Sequence, residues 1–302
     1  MPLLSRRAFL HILSGAVCAR AAERLDWNPP GPPRSSAQRR YRADAQVLIF
    51  GLPLFHREGI GGGGVSWREF ESARLLEFNG FSTPERAAGL NRLGFIREMA
   101  RTPEGRDPES IYFGLMTASK EETVEQARRA LHSAAKEQTY SVIDGRIAVG
   151  KAEAATAHFT APASLSGAQR AELMDRAAQA LASAQRIAAD GITPDCAQSF
   201  LQALAGLLLR PDGREARYSY AGRLYRLRLS RTPDPKATAY FRARRIVPPS
   251  ETVLRVSGRL RPEAGGKETE FRLWISSAAR PPLPLRIDYQ AKSYLRLTFE
   301  AI

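Results

Sequence analysis

Apolar and polar residues alternate with a period of two along the last third of the chain, and this alternation is the strongest pattern in the sequence. In residues 224–231, Tyr225, Leu227 and Leu229 fall on one side, and Arg226, Arg228 and Ser230 on the other. In residues 253–261, Leu254, Val256 and Leu260 oppose Arg255, Ser257, Arg259 and Arg261. The same holds for Phe271, Leu273 and Ile275 against Glu270, Arg272 and Trp274, for Ile287 and Tyr289 against Arg286 and Asp288, and for Leu295, Leu297 and Phe299 against Arg296 and Thr298. Successive side chains of a strand point to opposite faces, so each segment predicts a strand with one apolar and one wet face. Such strands belong in an antiparallel sheet covered on one side. Proline and glycine clusters at 233–235, 248–249, 262–266 and 281–282 supply the turns.

Upstream the pattern is mixed. Residues 47–55 read as an apolar strand, 59–64 as a glycine turn, and 75–81 and 111–116 as strands. Residues 84–99 fit either a helix or a strand. A capping box at Ser119 and Glu122 predicts a helix over 119–138. Asp144-Gly145 predicts the turn of a hairpin. The alanine-rich stretch 166–189 and the more apolar 194–209 predict two further helices. The expected fold is α+β: a mostly antiparallel curved sheet, half-barrel or sandwich, with three helices packed on it.

Charge divides the chain unevenly. Of a formal net charge of +14, residues 210–302 carry +11 (20 Lys and Arg against 9 Asp and Glu), residues 1–21 carry +3, and the rest sum to zero. The excess therefore lies on the C-terminal ladder, and a one-sided positive field favours anionic partners. Near the start, Ser5-Arg6-Arg7-Ala8-Phe9-Leu10 matches a twin-arginine export signal, with Arg6 and Arg7 as the signal pair. The apolar run after it is too short to span a bilayer, and Ala19-Arg20-Ala21 offers a small-x-small cleavage site. Residues 1–21 are thus expected to be a signal peptide recognised by the twin-arginine export machinery, and the mature protein to be periplasmic or otherwise extracytoplasmic. Residues 22–42, rich in Pro and Arg, read as a disordered linker. The globular region is expected over 43–302, divided into a β-rich 43–160 with one helix, a helical 161–209 and the basic ladder 210–302. Beyond the signal only Cys196 remains, so no internal disulfide is expected.

The strand ending in Phe271-Arg272-Leu273-Trp274-Ile275-Ser276, the proline-rich 280–284 and Leu285-Arg286-Ile287 resemble the C-terminal part of an uncharacterised exported bacterial envelope family, a domain of unknown function. The resemblance covers residues 200–302 and, more loosely, 47–81. It implies an exported β protein with a curved half-barrel like that of the lipoprotein carriers. Ser276-Ser277-Ala278 lacks the acidic residue that members carry after the tryptophan. No functional residue is transferred by it.

Candidate chemistry is sparse. The run Gly59-Ile60-Gly61-Gly62-Gly63-Gly64 formally matches a dinucleotide fingerprint, but no helix start follows and no alternating βαβ pattern surrounds it. The four histidines have no carboxylate or cysteine at ligand spacing, so no metal site is expected. No catalytic group and no cofactor are identified. Two surfaces remain. The arginine face (Arg226, Arg228, Arg255, Arg259, Arg261, Arg272, Arg286, Arg296) suits phosphates or carboxylates of lipid headgroups or an anionic envelope polymer, with peripheral membrane contact. The apolar face (Tyr225, Leu227, Val256, Phe271, Leu273, Ile287, Leu297, Phe299) suits a hydrophobic, lipid-like ligand. Nucleic acid is disfavoured, because the aromatics lie away from the arginines instead of interleaving with them. The sequence thus reads as a non-enzymatic binding or carrier protein of the envelope. A scaffold docking an anionic partner, or an enzyme with an unrecognised site, stands as the alternative.

Overall fold

The computed structural model describes residues 31–49, 52–87, 91–102, 107–118, 137–162, 170–292 and 294–302. The first arm of the chain is an antiparallel meander of β1 (Ser35–Ile49), β2 (Leu52–Glu69), β3 (Ala73–Ser82), β4 (Leu93–Arg101), β5 (Glu109–Thr117), β6 (Glu137–Ala148) and β7 (Gly150–Pro162). Helix α1 (Arg170–Ala182) leads back to β8 (Arg186–Ile192), and helix α2 (Phe200–Leu209) follows. The second arm is β9 (Glu215–Tyr220), β10 (Arg223–Pro233), helix α3 (Pro235–Ala243), β11 (Val253–Pro262), β12 (Thr269–Ser276), β13 (Arg286–Lys292) and β14 (Leu295–Ala301). Pairing of β1 with β14, from Tyr41 opposite Ala301 to Val47 opposite Leu295, joins the arms into one 14-stranded sheet with β8 and β9 at its ends. The protein is thus α+β, a curved antiparallel sheet carrying three helices among the described residues.

The sheet is rolled, as the company kept by α2 makes plain. Its Ala203 and Leu207 pack on Leu227, Val256 and Leu273 of the second arm. Its Leu201, Ala205 and Leu209 meet Trp67 and Leu76 of the first. One helix can touch both walls only if the sheet curls around it. The ends overlap instead of pairing: Leu224 and Tyr220, from the β9–β10 hairpin, pack on Tyr112, Ile143 and Ile147 of β5 and β6. The backbone N–H of Ala221 donates to the Tyr112 hydroxyl at 2.9 Å. The free edge of β9 is covered by the segment before α2, where the Ser219 N–H donates to the Gln198 carbonyl; this removes an exposed pairing edge. Helix α1 lies outside, its Leu173, Ala177 and Leu181 against Leu75, Met99, Phe113 and Val142. Leu75 and Leu76 therefore serve opposite faces, and β5 is buried on both.

The alternation of the C-terminal ladder is realised along β10, β11 and β14, but Trp274 and Asp288, expected on the wet face, are buried, Trp274 under Phe241 of α3, and Tyr289 of the apolar face is exposed; several local readings are also corrected. The glycines at 61–64 are not a turn but the middle of β2, paired with β1 and β3. Asp144-Gly145 lies inside β6, and the hairpin turns at Val149. There Gly145 leaves room for the Tyr112 ring, which would lie 2.2 Å from an added Cβ. The alanine-rich helix stops at Ala182, and Arg186–Ile192 pairs with β7 as β8, anchored by Arg186 donating to both carboxylate oxygens of Asp144 at 2.9 and 3.0 Å. The segment 161–209 is therefore not wholly helical. The linker expected to run to residue 42 gives way to β1 at Ser35, whose pairing with β2 from Ser35 opposite Glu69 outweighs its polar composition. Asp234-Pro235 opens α3 instead of a plain turn: Asp234 accepts from the Ala237 N–H at 2.9 Å, and proline fits the first helical turn. The helix expected over 119–138 falls outside the described residues up to 136, and Glu137 and Gln138 belong to β6.

Two glycines carry opposite expectations. A Cβ on Gly61 would lie 1.9 Å from the Phe81 carbonyl oxygen, so Gly61→Ala must part β2 from β3 and should lower stability by about 1–3 kcal/mol. A Cβ on Gly206, within α2, meets nothing within 4 Å. Gly206→Ala should raise stability by roughly 0.5–1 kcal/mol through helix propensity. Denaturant titration of both variants reads the two signs.

Candidate functional site

Helix α2 is apolar but for Gln202, which suits burial between two walls and leaves its ends to be satisfied by the sheet, the N-terminal end out of reach of water and the C-terminal end beside exposed Arg210. The sheet supplies both caps. Glu98, fully buried on β4, takes the N-terminus: its Oε2 accepts from the Ser199 hydroxyl at 2.6 Å, the Leu201 N–H at 2.7 Å and the Gln202 N–H at 3.2 Å. Arg231, on the facing wall, takes the C-terminus, donating to the carbonyls of Leu207 at 2.7 Å, Gly213 at 2.5 Å and Arg210 at 3.3 Å. An acid at the N-terminus and a base at the C-terminus also complement the helix dipole. Burial pushes the Glu98 carboxyl up to about 7, against the opposing pull of its hydrogen bonds to Ser199, Gln202 and Leu201.

The end of the roll beside α2 is closed. Leu283 packs with Trp67, Leu76 and Ala205. Arg39 donates to the carbonyls of Leu283 and Pro284 at 2.8 and 3.2 Å, and the Tyr41 hydroxyl to Pro284 at 2.7 Å. Burial holds the Arg39 guanidinium below its ordinary range and the Tyr41 phenol well above its own.

The other end is different. One step along the inner face from Trp67, Leu76 and Glu98 come Val65, Phe78 and Ile96. On the facing wall Leu260, Ile287 and Leu297 line the same inner face, Leu260 opposite Leu227, Ile287 opposite Leu273 and Leu297 opposite Tyr289, and Tyr225 lies one step beyond Leu227. Val65, Phe78, Ile96, Tyr225, Leu260, Ile287 and Leu297 are half-buried, and Tyr289 is 40% exposed. Bulk is also missing here. Gly63, Gly80 and Gly94 fall in one register row across β2, β3 and β4. The Phe299 ring lies over the first two, 3.2 and 3.0 Å from where their side chains would begin. At Gly94 an added Cβ would find only the Gly80 carbonyl oxygen, at 4.0 Å. The roll is thus filled by α2 at one end and lined by partly uncovered apolar side chains at the other.

The residues expected on the apolar face divide between these halves. Leu227, Val256 and Leu273 are sealed against α2, as is Phe271 beside Phe200. Phe299 and Leu297 join the cluster of Tyr41 and Ala43, Ile287 touches both groups, and Tyr225 stacks on Tyr218 at 5.2 Å. The arginines do gather on the outer face of β10–β12, but many are matched. Arg226 lies 3.4 Å from Glu215, Arg228 2.6 Å from Glu215 and Arg259 3.3 Å from Glu270. Arg286 pairs with Asp288 at 2.8 Å and covers the Trp274 ring at 4.8 Å. Arg255, Arg261 and Arg272 are exposed and Arg296 half-buried, with no carboxylate in ion-pair range among the described residues. Arg6 and Arg7 lie outside the described residues. Sequence reasoning missed Glu98, Ser199, Gln202 and Arg231; Ser199, directly before the apolar run 200–209, is the one local signal, a helix N-cap residue.

No family model matches the chain, and no curated protein does. Among solved structures it is similar to the β-barrel-like protein of the domain of unknown function DUF1849 from Brucella abortus, at 9% identity, with a TM-score of 0.41 over 88% of this chain and 94% of that one.

Glu98 gives stability a pH signature. Its folded pKa of about 7 stands above the ordinary value of 4.5, so its contribution is full below 4.5 and is lost as pH rises through 7. At about 1.4 kcal/mol per unit, the loss is roughly 3 kcal/mol. Glu98→Gln should flatten this slope in denaturant titrations between those pH values. Arg231→Met, which leaves the α2 carbonyls unmet, should destabilise by about 2–4 kcal/mol at every pH.

Proposed function

We propose that this protein binds an apolar or amphiphilic, lipid-like ligand in the open half of the roll, and that it does so as an exported protein of the cell envelope. The observation that carries the reading is the unequal filling of one continuous apolar interior. Helix α2 seals Leu227, Val256 and Leu273, while Phe78, Ile96, Ile287 and Leu297, on the same inner face, stay partly uncovered. Partly exposed aromatic and aliphatic groups on a concave wall are what a hydrophobic ligand needs, and they cost solvation when left wet. Of the glycine row, Gly63 and Gly80 receive the Phe299 ring, and Gly94 leaves the wall without bulk. The Arg6-Arg7 motif supports export, since that route carries folded proteins and leaves the acyl chains of the envelope as available ligands.

A second reading rests on Arg255, Arg261 and Arg272, which are exposed on the outer face with no carboxylate in ion-pair range among the described residues and could hold an anionic headgroup or polymer. Its contribution would be screened by salt, whereas uptake into the interior would not be.

A neutral probe that fluoresces in apolar surroundings should bind the delipidated protein saturably, with little dependence on ionic strength. Gly94→Phe, whose ring enters open space, should fold with unchanged melting behaviour and lose that uptake by about tenfold or more. Absence of saturable uptake by the wild type, or full uptake by Gly94→Phe, would contradict the reading. Replacing Arg6 and Arg7 by lysine should hold the protein in the cytoplasm, as fractionation of its host would show.

A further inference from the structure

At the foot of the open half, where α2 begins, four tyrosines meet. Tyr112 and Tyr220 stack at 4.7 Å and Tyr218 and Tyr225 at 5.2 Å, and the Phe200 ring of the first α2 turn lies 5.7 Å from Tyr218. The Tyr220 hydroxyl comes within 3.0 Å of where a side chain on Gly114 would begin, so it reaches across the overlap of the two sheet ends. Only the Tyr112 hydroxyl is occupied, by the Ala221 N–H. Those of Tyr218, Tyr220 and Tyr225 make no hydrogen bond to protein among the described residues. They are also not among the buried polar atoms cut off from solvent, although Tyr218 as a whole is only 4% exposed. Three hydroxyls with no protein partner that still reach solvent, on largely covered rings at neighbouring positions of β9 and β10, are free to bond a polar group of a ligand.

The charges around them restrict that partner. Burial holds the Tyr218 and Tyr220 phenols well above their usual range, so they are neutral donors and acceptors. The one ionisable group apart from tyrosine that acts on Tyr218 is the Glu98 carboxyl. A carboxylate or phosphate brought here would meet no countercharge on β9 and, above pH 7, would lie near the Glu98 carboxylate, while Arg186, the guanidinium that acts on Tyr112, is held by Asp144. The Oε2 of Glu98 is already committed to Ser199 and α2, and its Oε1 is sealed from solvent, so it is not placed to pair with an incoming ammonium either.

We propose that the inner, polar end of the ligand is uncharged, a hydroxyl or comparable hydrogen-bonding group, and that Tyr218, Tyr220 and Tyr225 read it. This rests on the open half being a ligand site. Tyr218 and Tyr220 come from the second arm beside α2, and Tyr225 from the strand next to them, so all three hydroxyls are fixed by stacked rings and lose little freedom on binding.

The test is displacement of the neutral fluorescent probe by a straight-chain alcohol, and by the carboxylate and the ammonium of the same chain length. The alcohol should displace the probe at a concentration lower by about tenfold or more than either ion. A charged head is disfavoured in any apolar site, so the deciding comparison is the double variant Tyr218→Phe, Tyr225→Phe. It should weaken the alcohol about tenfold more than it weakens the probe itself, the effect of one or two lost hydrogen bonds, with the melting temperature checking that the variant folds. An unchanged alcohol constant in that variant, or displacement by the carboxylate or ammonium as strong as by the alcohol, would overturn the inference. Failure of the wild type to take up the probe at all would overturn the site itself, and is distinguishable from either.

Discussion

The structure depends on satisfying the two ends of an apolar helix enclosed between the two arms of the sheet. A ten-residue apolar helix inside a rolled sheet buries its side chains readily, but its first N–H groups and last carbonyls cannot be left bare, since each buried unmet group costs about 1–3 kcal/mol. Glu98 from one wall and Arg231 from the other meet them. The two caps come from strands far apart in sequence, so α2 is pinned between both arms of the sheet and fixes their separation. The Gln202 side chain ties the same turn to β4, donating to the Glu98 carbonyl at 3.2 Å. The overlap of the sheet ends, in place of a hydrogen-bonded seam, follows from this arrangement, because the chain between β8 and β9 must dive inward to deliver α2 and then covers the β9 edge as it does so.

That pinning also sets where the interior is full and where it is not. Helix α2 ends its reach at Ser199, and beyond it the inner walls carry glycines and half-covered apolar groups. The 280–284 segment, with Leu283 against Ala205 and carbonyls over Arg39, closes the opposite end. The interior is therefore asymmetric along the roll, with a half filled by α2 and a half whose apolar lining is only partly covered among the described residues.

Much of the ladder was legible in the sequence because its strands have one wet face. Arg226, Arg228, Arg259 and Arg272 mark the outside, and the period of two then assigns Leu227, Val256 and Leu273 to the inside. The first arm was harder for the opposite reason. With α1 outside and α2 inside, β5 is buried on both faces and offers no alternation. The glycine row misled in a similar way: it reads as a turn locally, and only the Phe299 ring from the far end of the chain explains why a strand needs it. Helix α3 was hidden by Pro233-Asp234-Pro235, which suits a turn as well as it suits a capped helix start. Glu98 could not be picked out, since nothing near Arg97-Glu98-Met99 tells which side of β4 meets a helix one hundred residues later. The tyrosine floor was half visible: Tyr225 belonged to the apolar face, whereas Tyr218 and Tyr220 gain their meaning only from the overlap with Tyr112.

The central claim is that α2 is the pinned core of the roll and not an appended helix. Native-state hydrogen exchange of the Leu201, Gln202 and Ala203 amides tests it most directly. If Glu98 caps a helix enclosed by both arms, these amides exchange only on global unfolding, in the slowest class with those of β4 and β10. If they exchange well before the sheet does, α2 opens on its own, and neither the filled half nor the boundary of the open half survives.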